Sequence, residues 1–105
     1  MRKKDLLIAR KIKEKLMEKI PVFEVRVFGS RARGNATKES DLDIYIETDF
    51  LTSEQRRFIS EVLWEVGFEN DIVIAPILFS HYAVKKGPLS ASPLYKTIQK
   101  EGVPV

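Results

Sequence analysis

Residues 41–47 alternate strictly between polar and apolar side chains, and this pattern constrains the fold more than any other stretch of the chain. Successive residues of a β-strand point to opposite faces of a sheet, so Leu42, Ile44 and Ile46 share one face. The other face then carries two aspartates, a tyrosine and a glutamate. We therefore predict a strand that packs through its apolar face and presents carboxylates on the other.

The rest of the chain divides into helices and strands by the spacing of its apolar residues. The predicted helices cover about residues 3–19, 52–67 and 93–100, and the predicted strands cover residues 22–28, 41–47 and 71–79. Pro76 predicts that the third strand lies at a sheet edge or contains a bulge. The order α-β-β-α-β-α predicts a small α/β (α+β) fold, a mixed three-stranded sheet with helices packed on it.

Length and composition exclude several classes of protein. The 105 residues give room for one core, so we expect one domain spanning residues 1–105. The chain has no cysteine, which excludes a disulfide framework, a thiol nucleophile and a Cys-ligated zinc site. No apolar run approaches the roughly 18 residues of a membrane span, and no secretory leader is present. We therefore expect a cytoplasmic protein without a membrane partner.

Residues 29–34, Gly-Ser-Arg-Ala-Arg-Gly, follow the first predicted strand and have the features of a phosphate-binding turn. Gly29 lets backbone N–H groups approach a ligand, and a helix that begins near Arg31 favours negative charge at its N-terminus. Ser30 adds a hydroxyl donor, and Arg31 and Arg33 add positive charge beside the same point. Exposed helix charges with no ligand explain the two arginines equally well.

Asp41 and Asp43 give this turn a chemical partner. Positions i and i+2 of a strand share a face, so the two carboxylates can converge on a hard cation. Their mutual repulsion is relieved by a divalent ion, and Mg²⁺ prefers carboxylate and phosphate oxygens. A solvated face of an edge strand is the alternative. Asp71, at the start of the third predicted strand, is a third acid that could hold a metal or accept a proton, with Glu69 as a rival.

Gly-Ser, ten residues and then Asp-x-Asp resemble the signature of the DNA polymerase beta-like nucleotidyltransferase superfamily, and the compact residues 29–34 resemble its minimal nucleotidyltransferase (MNT) family. The resemblance covers nearly the whole chain, including Asp71 and residues 93–103. It implies the polymerase beta-like fold. It also implies that the triphosphate is bound at the turn, that two aspartates hold Mg²⁺, and that a third acid completes a carboxylate triad. The residues in these roles are Gly29 and Ser30 for the nucleotide, and Asp41, Asp43 and Asp71 for catalysis and metal. We add Arg31 and Arg33 to the nucleotide site because their charges lie beside the turn.

The implied reaction is the transfer of a nucleoside monophosphate, most often AMP from ATP, onto an acceptor hydroxyl with release of pyrophosphate. Minimal members of the family are often paired with a HEPN-domain protein, in some pairs a ribonuclease toxin that the transferase silences by adenylylation. We therefore expect one or two Mg²⁺ ions, ATP as substrate and a HEPN-domain partner. The protein could also form a homo-oligomer.

Two alternatives belong to other classes of function. The first is an inactive nucleotide-binding antitoxin that acts by contact alone. The second is a nucleic-acid-binding module, which the net charge of +3 suggests. Such modules usually interleave aromatic and basic residues, and this sequence does not. Two further residues stand apart from the site. We predict that His81 is a surface histidine without an acidic partner, and that Trp64 lies either at a protein interface or under the C-terminal segment.

Overall fold

Four strands form one mixed sheet, and helices cover both of its faces. The computed structural model describes residues 1–105. The strands are β1 (Val22–Phe28), β2 (Leu42–Thr48), β3 (Ile74–Ser80) and β4 (Val103–Pro104), in the order β3-β2-β1-β4. The helices are α1 (Lys3–Met17), α2 (Gly29–Arg33), α3 (Ser53–Glu69), α4 (His81–Lys85) and α5 (Pro93–Glu101), and a short 3₁₀ helix covers Pro88–Ala91. None of these helices combines the length and apolar character that crossing a bilayer requires.

The predicted α/β class is confirmed, but the sheet has four strands and not three. β1 pairs antiparallel with β2 and β4, whereas β2 pairs parallel with β3. The fourth strand is only two residues long. A strand this short shows no alternation of polar and apolar residues, so the sequence carries no signal for it.

The third strand begins later than predicted. It starts at Ile74 instead of residue 71, because α3 continues to Glu69 and the chain then turns through Asn70 and Asp71. Asp71 has a φ of 52°, in the left-handed region that strands do not use. The prediction of an edge position for the strand with Pro76 is confirmed, since β3 lies at one edge of the sheet.

The two faces of β2 pack against different helices. Its apolar face joins a large core with residues of α1, β1 and α3, in which Ile12, Ile44 and Val66 are fully buried. Its other face joins a smaller cluster in which Tyr45 packs with Ile98 and other residues of α4 and α5. The strict alternation seen in the sequence thus places the carboxylates of β2 on the face covered by α4 and α5.

A reciprocal capping box starts α3. The Thr52 hydroxyl accepts a hydrogen bond from the Gln55 N–H at 3.1 Å, and the Gln55 side chain accepts one from the Thr52 N–H at 2.8 Å. This arrangement satisfies backbone donors that the first turn of a helix leaves unpaired. The start of α3 is therefore fixed by local sequence, as predicted.

Candidate active site

The end of β1 and the start of β2 meet at one end of the sheet, between its two central strands, and the predicted site lies there. Because the two strands are antiparallel, Phe28 at the end of β1 pairs with Asp43 near the start of β2. Helix α2 begins directly after Phe28, at Gly29 and Ser30. The fold thus brings the predicted phosphate-binding turn next to the predicted metal-binding carboxylates, although about ten residues separate them in sequence.

Gly29 lies against the Asp43 carboxylate. It has a φ of 73°, and a Cβ atom built on it would overlap Asp43 Oδ2. Only glycine avoids both the strained backbone and this clash. The carboxylate therefore lies directly against the start of α2, where a bound triphosphate would meet both the backbone N–H groups and a metal held by the aspartates.

Replacing Gly29 with alanine is expected to displace the Asp43 carboxylate and to destabilise the chain by about 1–2 kcal/mol through the positive φ. Gly34 provides a matched control, because it has a φ of 83° but no atom lies within 4 Å of the position that a Cβ would take. Gly34→Ala should show the same loss of stability without any loss of Mg²⁺ or ATP binding. Chemical unfolding and calorimetric titration of both variants separate the two effects, and equal ligand binding by both would contradict this role of Gly29.

The electrostatic environment of Asp43 fits a divalent cation. Burial raises the pKa of Asp43 above its usual value, the negative charge of Asp41 raises it further, and the positive charge of Arg33 lowers it. Asp43 is thus a partly buried carboxylate whose charge is penalised by its burial and by the exposed Asp41 beside it. A hard divalent ion would relieve that penalty and finds the ligands it prefers, so the residues present fit Mg²⁺.

Of the two arginines predicted to assist the phosphate site, only Arg33 is available to a ligand. It is exposed and close enough to Asp43 to lower the pKa of that carboxyl. Arg31 is buried and donates to Asp5 Oδ1 at 2.9 Å and to the carbonyl oxygens of Ser40 and Lys38 at 2.8 and 3.2 Å. The prediction that Arg31 binds phosphate is therefore wrong, and so is the alternative that it is an exposed helix charge.

Asp71 does not join the other two aspartates. It is exposed in the turn after α3, and no group of three or more His, Cys, Asp or Glu side chains in the chain is arranged to hold a metal ion. The residue of β3 that pairs with Asp43 is Ala75. The rival acid, Glu69, instead forms an ion pair with Lys11 at 3.5 Å. The structure therefore brings together two of the three predicted carboxylates, Asp41 and Asp43, and the role of Asp71 at the metal stays a prediction.

A hydrogen-bonded group further along β2 was not predicted. The Tyr45 hydroxyl donates to Glu47 Oε1 at 2.6 Å, and Glu47 Oε2 lies 2.6 Å from Nδ1 of His81, whose ring stacks on Phe23 at 4.2 Å. Burial, and then the hydrogen bond to Glu47, raise the pKa of Tyr45 well above its usual range. The prediction that His81 has no acidic partner is wrong. Its partner lies 34 residues away, so no local spacing reveals it.

Comparison with known proteins agrees with this fold. A family model described as a nucleotidyltransferase domain matches residues 9–103. MJ0128 of Methanocaldococcus jannaschii, named as a candidate protein adenylyltransferase, is 37% identical over 87 residues, which cover 78% of this chain and 84% of that protein.

Two solved structures share the fold. A candidate nucleotidyltransferase from Sulfolobus solfataricus has a TM-score of 0.62 at 21% identity, over 96% of this chain and 78% of that one. A chain from the complex of MNT antitoxin with tri-AMPylated HEPN toxin of Shewanella oneidensis has a TM-score of 0.53 at 21% identity, over 95% of this chain and 70% of that one. With the family model matching most of its length, this chain belongs to the nucleotidyltransferase domain family.

Proposed function

We propose that this nucleotidyltransferase moves AMP from ATP onto a hydroxyl group of a partner protein, and that the partner is a HEPN-domain protein. The observation that carries the proposal is the contact between Gly29 and the Asp43 carboxylate, beside Asp41. It joins a turn suited to phosphate and a carboxylate pair suited to a divalent cation in one place. Transfer of a nucleotidyl group uses both, the turn to bind the triphosphate and the cation to stabilise charge at the reacting phosphorus.

Each residue of the site then has a role. The backbone N–H groups at the start of α2 and the Ser30 hydroxyl donate hydrogen bonds to the triphosphate, and Arg33 adds positive charge. Asp41 and Asp43 hold Mg²⁺, which when bound would neutralise charge on the triphosphate. The acceptor oxygen bonds to the α-phosphorus, the bond to the bridging oxygen breaks, and pyrophosphate leaves. The hydroxyl proton passes to water or to a group of the acceptor. The residue of β3 that pairs with Asp43 is Ala75, so β3 offers no acid at that position to accept the proton.

A protein acceptor is supported by the relatives. MJ0128 is named for adenylyl transfer to protein, and a chain of the Shewanella oneidensis complex, which holds an AMPylated HEPN toxin, shares this fold. The second candidate function is an inactive nucleotide-binding antitoxin that neutralises its partner by contact. The observation that favours it is the absence of a third carboxylate beside Asp43, where β3 carries Ala75.

The test is a labelling experiment with the pure chain, Mg²⁺ and a candidate HEPN-domain partner. Each of the four nucleoside triphosphates is supplied with label at the α-phosphate, and ATP is also supplied with label at the γ-phosphate. We expect label on the partner from α-labelled ATP only, and none from γ-labelled ATP or after chelation of the metal. Transfer of γ-label would indicate a phosphoryl transfer instead, and a tight complex without label would favour the contact antitoxin.

A further inference from the structure

An apolar groove of about 780 Å³ lies between α3 and β3 at the edge of the sheet, and we call it the α3–β3 groove. Its most prominent residues are Trp64 and Phe68, whose rings stack at 5.3 Å with an angle of 8° between their planes. The two side chains are 71% and 74% exposed, and Val73 on the opposite wall is 65% exposed. The prediction that Trp64 packs under the C-terminal segment is therefore wrong.

Exposed aromatic pairs of this kind mark binding surfaces. Contiguous apolar patches are uncommon on the free surface of monomers, and tryptophan and phenylalanine are enriched at the centres of interfaces. Because Trp64 and Phe68 already stack on each other, their side chains lose little conformational entropy when a partner covers them. The groove is thus suited to bind an apolar surface.

The groove lies at the same end of the sheet as the candidate active site. The Leu42 N–H donates to the carbonyl oxygen of Val73 at 2.9 Å, and Leu42 stands between Asp41 and Asp43 in the chain. Val73 lines the groove, so groove and carboxylate pair belong to neighbouring strands at the same end of the sheet. Adjacent strands are about 4.8 Å apart. Ile74 and Pro76, which line the groove, pair with Leu42 and Ile44 and therefore share the sheet face opposite Asp43. A protein seated in the groove reaches the place of AMP transfer around this end of the sheet.

The edge of β3 restricts how a partner can bind. The carbonyl group of Val73 points to β2. Backbone N–H and C=O groups alternate in direction along a strand, so those of Ile74, Pro76 and Leu78 point away from β2, to the open edge. Proline has no N–H, so an added strand would lose a hydrogen bond in the middle of the edge. An amphipathic helix, which binds a groove through side chains, does not need that hydrogen bond.

The negative charge of the groove favours a partner with a basic side chain. Asp71 is the only charged residue among those that line it. The nearby acids Glu65 and Glu69 already form ion pairs with Lys15 and Lys11 of α1, whereas Asp71 has none. An apolar ridge that also carries a lysine or arginine would complement this surface.

We propose that the α3–β3 groove is the docking surface for the acceptor protein, which binds it through a helix with an apolar ridge and a basic side chain. This proposal rests on the proposed function and adds to it the surface that selects the acceptor. It assigns Trp64 and Phe68 as the apolar anchors, and Asp71 as a recognition residue in place of the metal ligand expected from the sequence.

The test compares the double variant Trp64→Ser/Phe68→Ser with the unchanged chain, using the candidate HEPN-domain protein as the probe. We expect its dissociation constant and its KM in the transfer reaction to rise by about 30-fold or more, with ATP binding unchanged. Asp71→Lys should weaken binding as well, and a lysine-to-glutamate change in the partner helix should restore it. Phe50→Ser is the matched control, since Phe50 is also 71% exposed but follows the far end of β2.

The outcomes distinguish this proposal from the proposed function. If the unchanged chain binds the partner without transferring AMP, the proposed function fails and the binding measurement still tests the groove. If the double variant binds and modifies the partner as the unchanged chain does, the groove is not the docking surface. If the double variant changes only the chain's own oligomeric state, measured by sedimentation, the groove binds a second copy and the proposal is overturned.

Discussion

Asp43→Asn is expected to lower the rate of AMP transfer by at least about 100-fold, because groups that stabilise charge at a reacting centre contribute on the order of 10²–10³ to kcat. Asparagine keeps the shape of the side chain beside Gly29 but removes the charge that would hold the metal. The same substitution should also abolish the increase in thermal stability that Mg²⁺ gives the unchanged chain. Labelled transfer and thermal unfolding with and without Mg²⁺ measure both effects.

The metal-free chain should become more stable, not less, when Asp43 is replaced. The pKa of Asp43 is raised in the folded state above its usual value of 3.8, first by burial and then by Asp41. The folded chain therefore binds this proton more tightly than the unfolded chain does. Stability from this group is present at low pH and is lost as the pH rises from the unfolded pKa through the folded pKa. At neutral pH the carboxylate is charged and destabilising, so removing its charge raises Tm.

The pH dependence provides a second readout and a control. Transfer by the unchanged chain should decline on acidification at a pH above 3.8, because Asp43 binds the metal only when it is ionised. Asp49→Asn is the matched control, since Asp49 is exposed just after the other end of β2 and should not affect transfer. Transfer that survives Asp43→Asn, or a lower Tm of that variant without metal, would contradict this account of the site.

The second large effect is expected from the buried ion pair between Arg31 and Asp5. Their side chains are only 5% and 2% exposed, and they lie 2.9 Å apart. Removing one member leaves the other charge buried without a partner, which typically destabilises a protein by about 3–5 kcal/mol. Total stabilities of small domains are about 5–15 kcal/mol, so Arg31→Met or Asp5→Ala should cause a large shift of the urea midpoint.

The effect should extend to the active site. Arg31 also donates to the carbonyl oxygens of Lys38 and Ser40, in the segment that leads to Asp41. Loss of Arg31 is therefore expected to weaken Mg²⁺ binding even under conditions where the variant still folds. Arg33→Met is the control for stability, because Arg33 is exposed and makes no ion pair. A loss below about 1 kcal/mol in Arg31→Met would show that the pair is far less important than its burial implies.

A variant with both charges removed tests whether the pair itself stabilises the fold. Asp5 Oδ2 has no hydrogen-bond partner, so the buried carboxylate is only partly satisfied. Replacing a buried pair with apolar residues of similar volume is often neutral or stabilising. Asp5→Leu/Arg31→Met should therefore recover much of the stability that either single variant loses. Equal losses in the double and single variants would contradict that interpretation.

The parts of the fold that were predicted correctly depend on local sequence. The alternation of β2 assigns its two faces because the strand period is two residues, and the Thr52 capping box starts α3 through residues three apart. The junction of Gly29 with Asp43 followed from the resemblance to a known signature, and the structure supplies its geometry. In each case the signal and the structure lie within a few residues or within one motif.

The parts that could not be predicted depend on distant partners. Arg31 looked like a phosphate ligand because its position beside Ser30 is local, whereas its actual partner Asp5 lies 26 residues away. The contact of His81 with Glu47 could not be predicted for the same reason, since the two residues are 34 positions apart. Asp71 was assigned to a strand because it precedes an apolar run, but Asn and Asp readily adopt the turn conformations that end a helix. Sequence spacing gives no direct measure of such contacts.

Both open edges of the sheet carry a proline. The backbone of Pro76 faces the open edge of β3. The Val105 N–H donates to the Val25 carbonyl oxygen of β1, so the backbone of the preceding residue, Pro104, faces the open edge of β4. Unprotected edge strands are templates for intermolecular pairing and aggregation. A proline on each edge removes one N–H donor from that pairing, which disfavours extension of the sheet into a continuous ribbon of molecules. The chain is thereby protected against fibrillar association at the high local concentrations that synthesis in a cell produces.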